Sequence, residues 1–142
     1  GGEPKYTNSV AELYRRAFWC AVVQVDSTTA EFIKYMTNTF LATKVSFANE
    51  MYQICQNLGI SYEIAKDLVC LDQRINPGHL QVPGPDGNTG FGGHCFPKDL
   101  LAFLNFAKDL GINPAMLEAT WEKNLEVRED RDWEKMKGRA VT

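Results

Sequence analysis

TTAEFIKYMTNTFLATKVSFANEMYQICQNLG, residues 28–59, decides the fold. Ile33, Met36, Phe40, Phe47, Met51, Ile54 and Leu58 recur at steps of three, four and seven, which is helical periodicity. Thr28-Thr29-Ala30-Glu31 reads as a capping box, and Gly59 suits the residue just past a helix end. The pattern predicts one helix of about 30 residues, roughly 45 Å long. That is far longer than an average globular helix, so it needs partners along its length. The apolar stripe is expected to be the face that meets them.

Working outward, the rest of the chain also reads as mainly helical. Ser9-Val10-Ala11-Glu12 resembles a second capping box, opening a short amphipathic helix with Leu13, Tyr14, Ala17 and Phe18. Ala21–Val25 is short and β-branched, the one strand candidate. Ser61 caps a short helix to Val69 with Ile64, Ala65 and Leu68 facing inward. Residues 76–93 are rich in Gly and Pro, and a long irregular loop inside a compact domain is more often functional than idle. Pro97 suits a helix first turn, and that helix stops at Gly111. Asn113-Pro114 opens another, through Leu117, Trp121 and Leu125. From Glu122 to Arg139, 12 of 18 residues are charged, so this end is expected to be solvated or to lead elsewhere.

Composition excludes several classes. At 142 residues with 44 % hydrophobic and 23 % charged, the chain can bury a core without disulfide staples. No apolar run approaches the roughly 20 residues of a membrane span, and no signal peptide is visible. A net charge of −3 argues against a nucleic-acid surface. Cys20, Cys55, Cys70 and Cys95 form no C-x-x-C pair, so no structural metal is expected. Reduced thiols in the cytoplasm are the default.

Gly90-Phe91-Gly92-Gly93-His94-Cys95-Phe96-Pro97-Lys98-Asp99 is the densest chemical signal. Its glycines let backbone approach a ligand closely. Cys95 stands at the start of a helix, where the dipole and Lys98 favour a thiolate, the nucleophilic form. Local physics alone leaves a second reading, a small buried cysteine beside a glycine turn. The other three cysteines are expected in the core. The glycines are not a dinucleotide fingerprint, because Cys95 stands where the third glycine belongs and no strand clearly precedes them. A His94–Cys95 hydrolase dyad is disfavoured, since sequence neighbours usually point apart.

This decapeptide resembles the active-site cysteine motif of the UDP-glucose/GDP-mannose 6-dehydrogenases. Residues 30–50 resemble the family's long central helix, and Asp72-Gln73-Arg74-Ile75 lies between the two in the expected order. The resemblance implies an all-α fold, the central dimerisation domain, similar to the C-terminal domain of 6-phosphogluconate dehydrogenases. It implies that residues 1–26 are the edge of a preceding NAD-binding domain with a linker helix and short strand. Residues 27–142 would be the helical central domain, with 122–142 leading toward a C-terminal nucleotide domain.

The activity implied is a two-step oxidation of a sugar nucleotide, UDP-glucose by preference, from primary alcohol to carboxylate. The aldehyde formed first is captured by a cysteine as a thiohemiacetal, which is oxidised to a thioester and hydrolysed. By resemblance Cys95 is that nucleophile. Lys34 and Asn38, four residues apart and so on one helix face, match an oxyanion-stabilising pair. Asp99 matches an aspartate associated with the catalytic water, and Lys98 the lysine before it. Phe91 and Gly92 match backbone positions lining the substrate, and Arg74 an arginine that reaches the neighbouring subunit's sugar nucleotide. NAD would be held by the preceding domain and by nothing here. The partner implied is a second copy, paired through the long helix.

Two departures from the family pattern stand out. His94 occupies a position often held by Ser or Tyr, and the 81–89 loop is longer. A non-catalytic helical dimerisation module, or a GDP-mannose or UDP-N-acetyl-sugar dehydrogenase piece, are the competing readings. The isolated chain is expected to be inactive.

Overall fold

The computed structural model describes residues 2–136. Five α-helices follow one another: α1 Pro4–Ala17, α2 Ser27–Leu58, α3 Tyr62–Val69, α4 Cys95–Asp109 and α5 Ala115–Val127. A short 3-10 helix, Asp132–Lys135, comes last. No strand occurs among the described residues. The chain divides into two compact units, residues 1–37 and 38–142, with the division inside α2.

In the first unit, α1 begins at Pro4 rather than at the Ser9 box. A proline at the first helical position lacks only an N–H that would be unpaired there anyway. Ser9 therefore lies within the helix, and its hydroxyl donates back to the Lys5 carbonyl at 3.4 Å. The start of α2 is likewise capped two residues earlier than expected. Asp26 accepts from the Thr29 backbone N–H at 2.9 Å and from the Thr29 hydroxyl at 2.6 Å. These bonds hold the Asp26 carboxyl below its ordinary pKa. The Ala21–Val25 strand does not form. A strand needs a neighbour for its N–H and C=O groups, and no described residue pairs with this segment. Cys20, expected in the core, is exposed.

The second unit is organised around the 38–58 portion of α2, and here the inward face differs from the expected one. Thr39, Ala42, Ser46, Ala48, Asn49 and Cys55 are buried, whereas Phe40, Phe47, Ile54 and Leu58 are exposed. Small residues let other backbones approach α2 closely. Ser46 Oγ donates to the Thr120 carbonyl at 2.8 Å, and the Thr43 and Thr120 hydroxyls lie 3.0 Å apart. Two apolar clusters sit on this face. Ala42, Phe91 and Leu100 form one, with Val45, Phe96, Leu117 and Trp121 packed against it. Ala48, Leu80 and Val82 form the other, with Tyr52, Tyr62, Cys70 and Ile75.

Ser61 caps α3 as read, accepting from the Ile64 N–H at 3.4 Å. Ile64 and Leu68, however, are exposed rather than inward, because Tyr62 supplies the contact with the second cluster. Its ring meets Tyr52 edge-on at 5.6 Å, and its hydroxyl donates to the Leu80 carbonyl at 2.7 Å. Burial pushes the Tyr62 phenol above its ordinary pKa. Tyr62→Phe keeps the ring and deletes that bond, so a loss of about 1 kcal/mol in denaturant unfolding is expected.

The charged C-terminal stretch is only partly solvated. Asn124, Arg128 and Trp133 are buried within it, and Trp133 packs on Trp121 at 5.6 Å between ring centres. The helix stops fall where the sequence places them, with Gly59 and Gly111 at φ 68° and 74°.

Candidate active site

Helix α4 begins at Cys95, whose side chain is exposed. Lys98 and Asp99 lie three and four residues on, the spacing that brings side chains onto one helix face. Asp99 has no exposed surface. A buried carboxylate is costly unless paired, and this one is paired twice. Lys98 Nζ donates to Oδ1 at 2.5 Å, and Asn38 Nδ2 donates to Oδ2 at 2.5 Å. Three of the residues read from the sequence, Asn38, Lys98 and Asp99, are thus brought into one hydrogen-bonded cluster, one helical turn from Cys95.

Lys34 belongs to the first unit, with its Nζ 4.9 Å from the centre of the Tyr35 ring. Arg74 is not joined to the cluster. It is exposed and pairs with Asp72, Nη2 to Oδ2 at 2.6 Å, which lowers the Asp72 pKa and raises its own. His94 caps α4 with its backbone only, since its side chain makes no capping bond.

Phe91 and Gly92 border a cleft of about 420 Å³, together with Gly90, Phe96, His79 and Asp86. The Phe91 ring itself is core, packed edge-on to Phe96 at 5.9 Å and near Trp121 at 6.3 Å.

What fixes the backbone of this loop was not read from the sequence. Asn124 has no exposed surface, and its side-chain amide brackets Phe91. Oδ1 accepts from the Phe91 N–H at 2.7 Å, and Nδ2 donates to the Phe91 carbonyl at 3.0 Å. Asn49 on α2 accepts from the Gly90 N–H at 3.1 Å. Asp132 accepts from the Gly93 N–H with both oxygens at 3.0 Å. The Thr89 hydroxyl donates to the Val127 carbonyl. Gly90 has φ 68°, and a Cβ there would lie 2.5 Å from Asn124 Oδ1, so glycine is required twice over. The only sequence signal for these partners was polar residues at helical spacing, Asn124, Arg128 and Asp132, hidden inside a charged run.

The buried Arg128 joins this framework to the 81–89 loop. Its Nη1 lies 2.7 Å from Asp86 Oδ2. Partial burial pushes the Asp86 pKa up, but the hydrogen bonds from Arg128 and Asn88 and the Arg128 charge outweigh it and hold the carboxyl below its ordinary 3.8. A depressed folded pKa means this pairing stabilises the protein above pH 3.8, and the contribution is lost as pH falls through the lower folded value. Asp26, Asp72 and Glu126 are shifted the same way. Thermal melting should therefore fall below pH 3.8. Asp86→Asn should flatten part of that fall, and an unchanged profile would contradict the assignment.

Among the described residues, no three His, Cys, Asp or Glu side chains converge on a possible metal position. No described helix is long and apolar enough to cross a membrane. Among the described residues, no strand precedes the glycine loop.

Comparison with known proteins follows the same lines. The family model for the UDP-glucose/GDP-mannose dehydrogenase family, central domain, matches residues 28–126. The UDP-glucose 6-dehydrogenase TuaD of Bacillus subtilis is 38 % identical over 120 residues, covering 84 % of this chain and 25 % of that protein. The UDP-glucose 6-dehydrogenase of Rickettsia felis is 44 % identical over 102 residues, 72 % of this chain and 22 % of the relative. Among solved structures, a UDP-glucose dehydrogenase from the archaeon Pyrobaculum islandicum superposes with a TM-score of 0.78 at 34 % identity. That match covers 88 % of this chain and 28 % of the other. The chain spans about a quarter of the length of the curated relatives it matches.

Proposed function

Because this chain belongs to the UDP-glucose/GDP-mannose dehydrogenase family, matching its central domain, we propose that it carries the nucleophile of a longer NAD-dependent nucleotide-sugar 6-dehydrogenase. UDP-glucose, oxidised to UDP-glucuronate, is the preferred substrate, after the names of the relatives. The observation that carries the reading is the paired Asp99, one turn from the exposed Cys95 at the start of α4.

NAD, when bound by another domain, accepts the electrons of both oxidation stages. The residues of this chain handle the carbon and the protons. The Cys95 thiolate forms a C–S bond to the aldehyde carbon, giving a thiohemiacetal, which the second oxidation converts to a thioester. Water then adds, the C–S bond breaks, and the carboxylate leaves with the thiol restored. Asn38, held by Asp99, and Lys34, by resemblance, stabilise the oxyanion of each tetrahedral stage. Asp99 takes the proton of the attacking water, and Lys98 keeps its charge balanced. The loop backbone at Phe91 and Gly92 contacts the sugar.

The exposed Phe40, Phe47, Ile54 and Leu58 supply the motive for a homodimer through α2, with Arg74 reaching the second subunit's substrate. Residues 1–26 form the edge of the NAD-binding domain, 27–142 the central domain, and 122–142 lead to the nucleotide domain. The enzyme works in the cytoplasm, without nucleic acid or membrane.

The test is NAD reduction with UDP-glucose. The 142-residue chain should give none, and a full-length protein should give two equivalents of NADH per sugar. Turnover by the chain alone, or none by the full-length protein with any nucleotide sugar, overturns the reading. The latter result with a dimer in sedimentation would instead favour a non-catalytic dimerisation module.

A further inference from the structure

The charged groups behind the glycine loop have no part in the chemistry proposed above, yet they are arranged around it. Arg128 is almost wholly buried, with its side chain 2 % exposed. Its three nitrogens are directed to three places. Nε donates to the Asp130 carbonyl at 2.8 Å, Nη1 to Asp86 at 2.7 Å, and Nη2 lies 3.8 Å from Asp132 Oδ1. Asp132, held there, accepts the Gly93 N–H symmetrically. A Cβ on Gly92 would run into the Arg128 guanidinium and lie 2.5 Å from Asp132 Oδ1. The loop is therefore glycine on this side because charged side chains press against it, while its other side borders the cleft. At Gly93, φ is 73° and the space for a Cβ is open, so the backbone turn itself needs glycine there. Two residues later α4 begins with Cys95.

We infer that Asp132 and Arg128 are positioning residues: through the Gly93 N–H they hold the first turn of α4, and with it the Cys95 thiol, in reactive geometry. Arg128 orients the carboxylate, and the carboxylate fixes the peptide that leads into the helix. Without that tether the first turn of α4 frays, and the Cys95 side chain loses the fixed position that the helix start gives it. Asp86 extends the same clamp to the 81–89 loop, so the loop's geometry and the helix start move together.

This inference rests on the reading of Cys95 as nucleophile for its importance, but its test needs no turnover. Iodoacetamide alkylation of each cysteine in the full chain is followed near neutral pH by peptide mass spectrometry. Cys20, also exposed but in the first unit, serves as the internal reference. Asp132→Ala is expected to slow Cys95 at least about threefold relative to Cys20. Asp132→Asn, which keeps an acceptor for the Gly93 N–H, should recover at least half of the loss. Equal Cys95 rates in wild type and Asp132→Ala, or an Asn variant as slow as Ala, would falsify the clamp. Should Asp132→Ala not fold, amide exchange in the unmodified chain decides: Gly93 must be protected comparably to Phe91, and free exchange at Gly93 removes the tether. Loss of the clamp effect leaves the catalytic reading standing. Retained turnover in Cys95→Ala would sink that reading and leave the clamp intact.

Discussion

Asn124→Ala is expected to lower the unfolding free energy by about 2–5 kcal/mol, the largest stability effect of any single side chain in the site. The reason is local accounting of hydrogen bonds. One amide serves both the N–H and the carbonyl of Phe91, and the three groups lie in the interior. Alanine leaves both backbone groups unpaired, at about 1–3 kcal/mol each for a buried orphan. For a unit of this size, the melting temperature should drop by about 10 °C or more. Asn124→Asp is a sharper probe. It keeps an acceptor for the N–H but offers no donor to the carbonyl and buries a charge, so it should be at least as damaging as alanine near neutral pH. A loss below about 0.5 kcal/mol in either variant would mean that the loop is held elsewhere.

Cys95→Ala should have the opposite signature. The side chain is exposed, so stability should change by no more than about 0.5 kcal/mol. In the full-length protein, however, carboxylate formation should fall by about a thousandfold or more, because the covalent route is gone. Cys20→Ala, also at an exposed cysteine, should leave activity untouched. Carboxylate produced at the wild-type rate by Cys95→Ala would remove the cysteine from the mechanism. A fall in activity matched by a fall in melting temperature would reassign it to structure.

The contrast between these two residues explains what was legible in the sequence. Cys95 was singled out because its neighbours in sequence announce it, a glycine run, a proline in a first helical turn and Lys98 close by, whereas Asp99 and the role of Lys98 came from the family resemblance. The extent of α2, the Ser61 cap and the stops at Gly59 and Gly111 were legible for the same reason, being set within a few residues. Asn124, Arg128 and Asp132 act on a loop more than 30 residues earlier. Nothing in a charged run says which charge will be taken inside by a distant partner, so the stretch read as solvated or as leading elsewhere. The Ala21–Val25 strand failed for the complementary reason, since β propensity is a statement about neighbours that the segment does not have. The cap at Asp26 shows the scale of the smaller errors, one or two residues, where several polar side chains compete for the same free N–H groups.

The packing of α2 carries a lesson about tolerance to substitution. The side that hydropathy marks as structural holds Phe40 and Phe47 in the open, while Ala42 and Ala48 sit where there is almost no exposed surface. Volume, not greasiness, is the scarce quantity on the inner side. A methyl group added at Ala42 has nowhere to go, whereas a phenyl ring removed at Phe47 leaves no hole in this unit. As far as the fold of this unit is concerned, the outer residues that look indispensable can change and the inner ones that look generic hardly can; what holds the outer ones is whatever meets α2 from outside. A substitution scored by hydrophobicity alone would be ranked backwards along its length.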